Sequence, residues 1–215
     1  MELYCLKYAD STIPASMVFQ GGDGDEKIPI TFAVYLILTE DRKILVDAGC
    51  HTMPHFEMQN FTSPAAVLKE MGIAPEKITD LLLTHSHHDH CEATKDFPNA
   101  TVHLSKAAYE KAKEYIPADF KVCTFEEELC LAPKIKMLEW GGHAFGSCMV
   151  EIQTVDGIHI LAGDECYTDA NLQKKIPTGS TCNSERSAAF VEKFSQAPYC
   201  VHTCHDASLK TERIL

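Results

Sequence analysis

The chain has 215 residues, of which 45% are hydrophobic and 23% are charged, and its formal net charge is −12. Such a chain can bury a substantial core, and we expect a single globular domain over residues 1–215. The acidic balance argues against a nucleic-acid partner, because the phosphate backbone calls for a basic face. No apolar run reaches the roughly 20 residues that cross a bilayer, and residues 1–5 do not resemble a secretory leader. The sequence therefore predicts a cytoplasmic protein without membrane contact.

The first half of the chain predicts strands separated by single helices. Ser63 can cap a helix that has Pro64 at its first position and ends at Gly72. Ser105 can cap a second helix, which stops before Pro117. The strands predicted in this half are residues 30–38, 43–46, 80–84 and 100–104.

The second half repeats this alternation. A tight turn at Asp156 and Gly157 joins two strands, and Ser184 begins a helix with Phe190 and Phe194 facing inward. Two sheets packed face to face with helices outside would bury such strands on both sides. Periodicity alone leaves other α/β arrangements open. The strands predicted in this half are residues 134–139, 148–155, 157–162 and 199–203.

The most informative segment is residues 84–90, which read Thr-His-Ser-His-His-Asp-His and follow an apolar run. In an extended segment His85 and His87 share one side, while Asp89 and His90 can point toward a neighbouring position. Imidazole nitrogen and carboxylate oxygen, without a thiolate, suit Zn²⁺ or a similar divalent ion. A histidine-rich surface loop is the plain alternative. The position directly after a strand favours a metal site.

Four further candidates stand where predicted strands end or turn: Asp47, His143, Asp164 and His205. Each alone is commonly a turn former or an exposed residue. Their recurrence at strand ends, where layered α/β folds carry their sites, favours a joint role. His202 competes with His205, but it falls inside an apolar strand and is therefore predicted to be a packed residue.

The series Thr-His-x-His-x-Asp-His, Gly-His, Gly-Asp and a C-terminal His, preceded by Val-Asp-Ala-Gly, resembles the metallo-β-lactamase superfamily. The resemblance spans about residues 30–205. It implies an αββα sandwich and two Zn²⁺ ions, or another divalent metal such as iron, manganese or cobalt. A homodimer would fit the family. The residue roles that it implies are a first metal site of His85, His87 and His143, a second of Asp89, His90 and His205, a bridge at Asp164, and Asp47 orienting a ligand imidazole.

Within the superfamily the chain is most similar to N-acyl-homoserine lactonases. Those enzymes carry a tyrosine three residues after the bridging aspartate, as Tyr167 follows Asp164 here. Two-zinc β-lactamases carry a cysteine at the Asp164 position, and flavin-linked diiron relatives carry a glutamate at the His87 position. The chain departs from the lactonases in a shorter spacing between His90 and His143, and in a Gly-Gly-His turn that replaces Pro-Gly-His.

The resemblance implies a dinuclear metal-dependent hydrolase that opens a lactone ring by attack of a metal-bridging hydroxide. Tyr167 would donate a hydrogen bond to the ester carbonyl or the developing oxyanion. Asp89 would pass a proton to the leaving oxygen. The expected partner is a small-molecule ester or lactone. Apolar walls for its acyl chain are predicted at Met17, Phe19, Met53 and Phe56.

Two alternatives remain open from the sequence. A glyoxalase-II-like thioesterase, or another small-ester hydrolase, would use the same ligands, although such thioesterases continue into a further helical domain. A metal-binding module without catalysis is the minor alternative. Hydrolysis of a lactone rather than a thioester would distinguish the lactonase from the thioesterase. Loss of the fold on chelation, without hydrolysis of any ester, would favour the metal-binding module.

Overall fold

The structure is a computed structural model that describes all 215 residues. Strands β1 to β12 are Glu2–Pro14, Lys27–Leu38, Lys43–Val46, Asp80–Leu82, Thr101–Ser105, Val122–Phe125, Glu128–Ala132, Ile135–Glu139, Cys148–Gln153, Ile158–Leu161, Tyr199–His202 and Glu212–Arg213. Helices α1 to α6 are Ala15–Val18, Pro64–Glu70, His88–Cys91, Lys106–Ala112, Asp169–Lys174 and Ser184–Phe194. None of these helices combines the length and apolar character that crossing a membrane requires.

The strands form two sheets. The first has seven strands in the order β12-β1-β2-β3-β4-β5-β6, and the second has five in the order β11-β10-β9-β8-β7. Strands β3 to β6 run parallel to one another, as do β10 and β11, and the remaining pairs are antiparallel. Parallel neighbours bring their carboxyl ends to the same edge of a sheet, which is where ligand sites of such folds are built.

Three apolar clusters hold these layers together. Ile37 of the first sheet and Val150 of the second belong to the cluster between the sheets. Leu68 of α2 and Ala108 of α4 belong to the cluster that covers the other face of the first sheet. Phe190 of α6 belongs to the cluster over the outer face of the second sheet. Burial of one such large side chain stabilises the fold by about 1.5–3 kcal/mol. The layers follow the order helix, sheet, sheet, helix, so the predicted sandwich is confirmed.

The predicted helix starts are also confirmed. The backbone N–H of Ala66 donates to Ser63 Oγ at 3.3 Å, and that of Ala108 donates to Ser105 Oγ at 3.0 Å. Each bond satisfies a donor that the first turn of a helix leaves without a partner. The turn at Gly157 joins β9 and β10 as an antiparallel pair, although β9 ends at Gln153, two residues before the predicted end.

The longest strand, β1, was not predicted, and neither were β6 and β7. The register of β1 against β2 shifts between Lys7 and Ala9. Such a bulge interrupts the alternation of buried and exposed side chains, which is the signal that identifies a strand in a sequence. Strands β6 and β7 bury only Phe125 fully, so their side chains show no apolar stripe.

Candidate metal centre

The candidate ligands lie at one edge of the sandwich, where strands of both sheets end. Strand β3 is followed by Asp47, β4 by residues 84–90, β10 by Asp164 and β11 by His205. His143 lies in the turn between β8 and β9. The fold therefore brings together side chains that are far apart along the chain.

Three imidazoles converge in the first half of the centre. His87 Nδ1 lies 2.9 Å from both His85 Nε2 and His143 Nε2. Asp164 Oδ2 lies 3.6 Å from His85 Nε2 and 3.3 Å from His143 Nε2. One proton cannot serve three ring nitrogens that face a common point, whereas a cation at that point would accept all three lone pairs.

Two further imidazoles face the other oxygen of the same carboxylate. Asp164 Oδ1 lies 3.0 Å from His90 Nε2 and 3.2 Å from His205 Nε2. Asp89 stands further out, with Oδ2 at 3.5 Å from His90 Nε2 and 3.6 Å from His205 Nε2. His90 Nε2 is buried and, although it lies close to Asp164 Oδ1, it makes no aligned hydrogen bond. A buried polar atom without a partner is costly, and a bound cation would satisfy it.

The second nitrogen of four of these rings is held by a hydrogen bond. Each ring donates from Nδ1, so in its neutral form its Nε2 lone pair is directed at the centre. The acceptors are Thr84 Oγ1 at 3.1 Å for His85, Asp47 Oδ2 at 2.7 Å for His90, the Ser180 carbonyl at 2.6 Å for His143 and the Thr31 carbonyl at 2.9 Å for His205.

Asp47 links Thr84, which follows β4, to His90 of this centre. Its backbone has a φ of 65°, in the left-handed region that aspartate tolerates better than most residues. Its carboxylate accepts from the backbone N–H and the hydroxyl of Thr84 at 2.7 and 2.9 Å, and from His90 Nδ1. The structure therefore places Asp47 in contact with His90, one of the imidazoles that the resemblance implies as ligands.

The two halves of the centre have opposite electrostatics. Burial lowers the pKa of His85 and His87 and lowers that of His143 to about 4. Burial alone would also lower the pKa of His90, but the neighbouring carboxylates, that of Asp164 foremost, raise it well above its ordinary value. Burial would raise the pKa of Asp164, but the surrounding imidazoles hold it well below its usual range. An ionised carboxylate among ring nitrogens suits a divalent cation.

A cavity of about 320 Å³ opens above the centre. His87, Asp89, Asp164 and His205 contribute to its floor together with Tyr167. The Tyr167 ring centroid lies 5.0 Å from that of His205, and Tyr167 itself is buried. The apolar side chains that line the cavity include Ile13, Met17, Ile30, Phe32, Met53 and Phe56.

Of the four predicted wall residues, Met17, Met53 and Phe56 line this cavity. The prediction for Phe19 is wrong, because its ring lies outside the cavity and beneath the ammonium group of Lys174, 5.1 Å from the ring centroid.

Comparison with known proteins decides the family. A family model described as the metallo-beta-lactamase superfamily matches residues 33–182. The chain belongs to the metallo-β-lactamase superfamily. An N-acyl homoserine lactonase of Bacillus cereus is 28% identical in an alignment 167 positions long, which covers 66% of this chain and 67% of that protein. The predicted family is confirmed, and so is the predicted resemblance to these lactonases.

Solved structures support the fold. An N-acyl homoserine lactone hydrolase with the product N-hexanoyl-L-homoserine bound at its catalytic metal centre has a TM-score of 0.85 at 20% identity, covering 99% of this chain and 98% of that one. AidC, a dizinc quorum-quenching lactonase in complex with a product, has a TM-score of 0.78 at 16% identity, covering 96% and 87%. At these identities the likeness establishes the metallo-β-lactamase fold.

One residue that supports the centre of this superfamily member was not predicted. Glu165 is fully buried and accepts from the backbone N–H groups of Gly142 and His143, each at 3.1 Å, and from the Ser147 hydroxyl. A Cβ at Gly142 would lie 2.4 Å from Glu165 Oε2, so the glycine permits this approach. Glu165 therefore anchors the turn that carries His143. Gly142, the glycine directly before His143, was the available signal.

A buried thiol also lies beside the centre. Cys204 Sγ is 3.3 Å from Asp164 Oδ1 and belongs to the same potential ligand group as His90 and His205. The sequence suggested no role for it, since it differs from the other cysteines only in preceding a candidate ligand. Burial raises its pKa well above the ordinary value, which keeps the thiol protonated in this structure.

Proposed function

We propose that this protein is a metal-dependent lactonase that opens rings of the N-acyl-homoserine lactone type. The observation that carries the proposal is the convergence of His85, His87, His90, His143 and His205 on the Asp164 carboxylate, at the floor of an apolar-walled cavity. The relatives named N-acyl homoserine lactonase support the substrate class. A cytoplasmic location and a homodimer stay predictions of the sequence.

The donor set fits two divalent ions, because it combines facing ring nitrogens, a shared carboxylate and the unpaired nitrogen of His90. Nitrogen and oxygen donors suit Zn²⁺, and they also accept iron, manganese or cobalt. When bound, such ions polarise a carbonyl oxygen and lower the pKa of water. The residues proposed to hold them are His85, His87 and His143 for the first ion, Asp89, His90 and His205 for the second, and Asp164 for both.

Tyr167 has the position and the protonation state of a hydrogen-bond donor to substrate. Burial, followed by the charges of Asp164 and Asp89, raises the pKa of its phenol well above the ordinary value. The hydroxyl therefore stays protonated at neutral pH. Tyr167 lines the cavity, where it would donate to the ester carbonyl oxygen, and this bond would strengthen as negative charge develops on that oxygen.

Asp89 is the carboxylate that is free to move a proton. Its side chain is 12% exposed at the cavity, whereas that of Asp164 is 3% exposed and surrounded by imidazoles. The Tyr8 hydroxyl donates to the backbone carbonyl of Asp89 at 3.1 Å and holds this residue in place. Asp89 would accept the proton that the attacking water loses and deliver it to the ring oxygen as that oxygen leaves.

The apolar wall of the cavity would bind the acyl chain of the substrate. Each methylene that the wall covers contributes about 0.8 kcal/mol of binding. We therefore expect catalytic efficiency to rise with acyl length until the cavity is filled. Phe32 and Met17 lie on this wall, and their truncation would move the preferred length.

The decisive experiment measures ring opening of N-acyl-homoserine lactones of graded acyl length by the metal-loaded protein. The reaction is monitored through the protons that it releases. We expect turnover that a chelator abolishes and added metal restores. Hydrolysis of an acyl thioester of the same length, without lactone opening, would replace the proposal with the thioesterase alternative. Bound metal without hydrolysis of either substrate would contradict both and favour a metal-binding module.

A further inference from the structure

A second group of metal-binding side chains lies away from this centre, at the edge of the five-stranded sheet. His159 lies in β10, and Cys200 and His202 lie in the parallel edge strand β11. Their donor atoms lie within 4.8 Å of one another. His159 is opposite Cys200 in the register, and His202 follows two residues later, so all three side chains are on one face.

The two imidazoles face each other directly. His159 Nδ1 lies 2.9 Å from His202 Nε2, and the ring planes differ by 1°. The same 2.9 Å separates the ring nitrogens of His85 and His87 in the dinuclear centre. This spacing is therefore compatible with a ligand pair in this chain, and without an ion one ring donates its N–H to the other.

Both rings are available as ligands at neutral pH. Burial lowers the pKa of His159, and burial together with His159 lowers that of His202 to about 4. Uncharged imidazole is the form that binds metal, so no imidazolium proton has to be lost first. Tautomer exchange can free both facing nitrogens at once, because each ring has a second nitrogen to carry its proton.

Cys200 supplies the third donor atom, and its exposure lets an ion enter the site from solvent. Its side chain is exposed at the sheet edge, so an ion can reach it from solvent. Partial burial, followed by the negative charge of Asp169, raises the pKa of the thiol. That nearby carboxylate also attracts a cation. Binding of an ion would then displace the thiol proton into solvent.

We propose that His159, Cys200 and His202 form a mononuclear site for a thiophilic divalent ion such as Zn²⁺, separate from the dinuclear centre. Two imidazoles and one thiolate are three of the four ligands of tetrahedral zinc, and solvent would supply the fourth. Tetrahedral bonds of about 2.0 Å place two ligand nitrogens about 3.3 Å apart, so the rings would separate by only a few tenths of an ångström. The ion would join β10 to the edge strand β11.

The test is the metal content of the zinc-loaded full chain as wild type, C200A, H159Q and C130A. Cys130 is the matched control, because it is an exposed cysteine on β7 at the opposite edge of the same sheet. We expect three ions per chain in the wild type and C130A, and two in C200A and H159Q. With Co²⁺, the wild type and C130A should show the near-ultraviolet thiolate-to-cobalt absorption, and C200A should lose it.

Two ions per chain in every variant would overturn the proposal and leave a hydrogen-bonded imidazole pair. Three ions in every variant would also overturn it, because the additional ion would then lie elsewhere. Cys204 is the other thiol within reach of a bound ion, so an absorption that persists in C200A would be assigned to Cys204 and would contradict a Cys200 ligand.

The outcome is independent of the lactonase proposal. C200A removes an exposed side chain outside the dinuclear centre, so it should fold and should open lactones as fast as the wild type. If H159Q, a substitution of a buried residue, fails to fold, the comparison of C200A with C130A decides the matter. Three ions without lactone hydrolysis would contradict the proposed function and leave this site standing.

Discussion

Two polar clusters lie at opposite ends of strand β4, and both combine buried aspartate with histidine. At the start of the strand, Asp80 accepts from Arg42 Nη1 with both carboxylate oxygens at 3.0 Å and from His103 Nε2 at 2.9 Å. At its end, His85 and His90 face the carboxylate of Asp164. The same residue types therefore occur in two different arrangements along one strand.

The arrangements differ in whether a permanently charged side chain pairs with the carboxylate. Arg42 is permanently charged and compensates Asp80. No lysine or arginine pairs with Asp164, whose ion-pair partners are all imidazoles. His103 Nδ1 also lacks a partner, but the ring faces Asp80 with its other nitrogen, Nε2. His103 belongs to no cluster of potential metal ligands. The start of β4 is thus an ion pair with a permanently charged arginine, and its end is a carboxylate whose partners are all imidazoles, the donor types that bind a divalent cation.

The largest expected effect comes from removing the carboxylate at the end of β4. Asp164→Ala deletes the group that faces both halves of the centre, so we expect loss of bound metal and a fall in lactone-opening kcat/KM on the order of a thousandfold or more, since metal catalysis contributes several kcal/mol. Elemental analysis and kinetics measure the two effects. Asp80→Asn is the control that should keep its metal. Full metal content in Asp164→Ala would refute the bridging role.

The next effect separates substrate contact from metal binding. Tyr167→Phe removes one hydrogen-bond donor from the cavity and leaves every ligand in place. Loss of a donor to a developing oxyanion typically lowers kcat about a hundredfold or more. We therefore expect reduced kcat, unchanged metal content and a similar KM. Wild-type turnover in this variant would show that the phenol only packs against His143 and His205.

A smaller effect is expected from the group that orients His90. Asp47→Asn weakens the acceptor of the Nδ1 hydrogen bond at 2.7 Å. Loss of such an outer contact commonly lowers metal affinity or activity about 10- to 100-fold. Competition with a chelator of known affinity measures the change. Asp41→Asn, at an aspartate whose side chain is 80% exposed, is the matched control. Equal affinities in the two variants would exclude an orienting role for Asp47.

The smallest effect on activity is expected at the start of β4. Asp80→Asn weakens its charged hydrogen bonds, and we expect a loss of about 1–3 kcal/mol in the free energy of unfolding with little change in turnover. Burial would raise the pKa of Asp80, but His103, Thr79 and Arg42 lower it overall.

The pH dependence of this variant follows from the sign of the shift. A carboxylate whose folded-state pKa is depressed stabilises the fold above its unfolded pKa of about 3.9, and this contribution is lost as the pH falls through the lower folded value. The difference between the wild type and Asp80→Asn in denaturant unfolding should therefore be constant near neutral pH and shrink below about pH 4. A difference that grows in acid would contradict this ion pair.

Local pattern was sufficient to propose four of the candidate ligands. Residues 84–90 follow a short buried strand, so the side-chain directions of an extended segment place His85 and His87 together without further information. His143, Asp164 and His205 come from separate strand ends, and their grouping was predicted only through resemblance to a family. The anchoring of His143 by Glu165 joins positions 22 apart and left no periodic signal.

The pairing of His159 with His202 shows the same limit. The sequence predicted a packed residue at His202, and no pattern in it singled out His159. Their contact joins positions 43 apart and depends on the parallel register of β10 and β11. No turn connects parallel neighbours directly, so nothing in the local sequence specifies which residues become opposite.

By itself, the sequence determined which side chains the protein offers for chemistry: candidate nitrogen and oxygen ligands at strand ends, a phenol after Asp164, and strands buried on both faces. These features follow from side-chain type and from the period of two along a strand, both of which are local. Only the tertiary structure decided which imidazoles share one carboxylate oxygen, which apolar residues line the cavity, and that Phe19 lies outside it. Those outcomes depend on the register and packing of the two sheets, which bring together residues from distant parts of the chain.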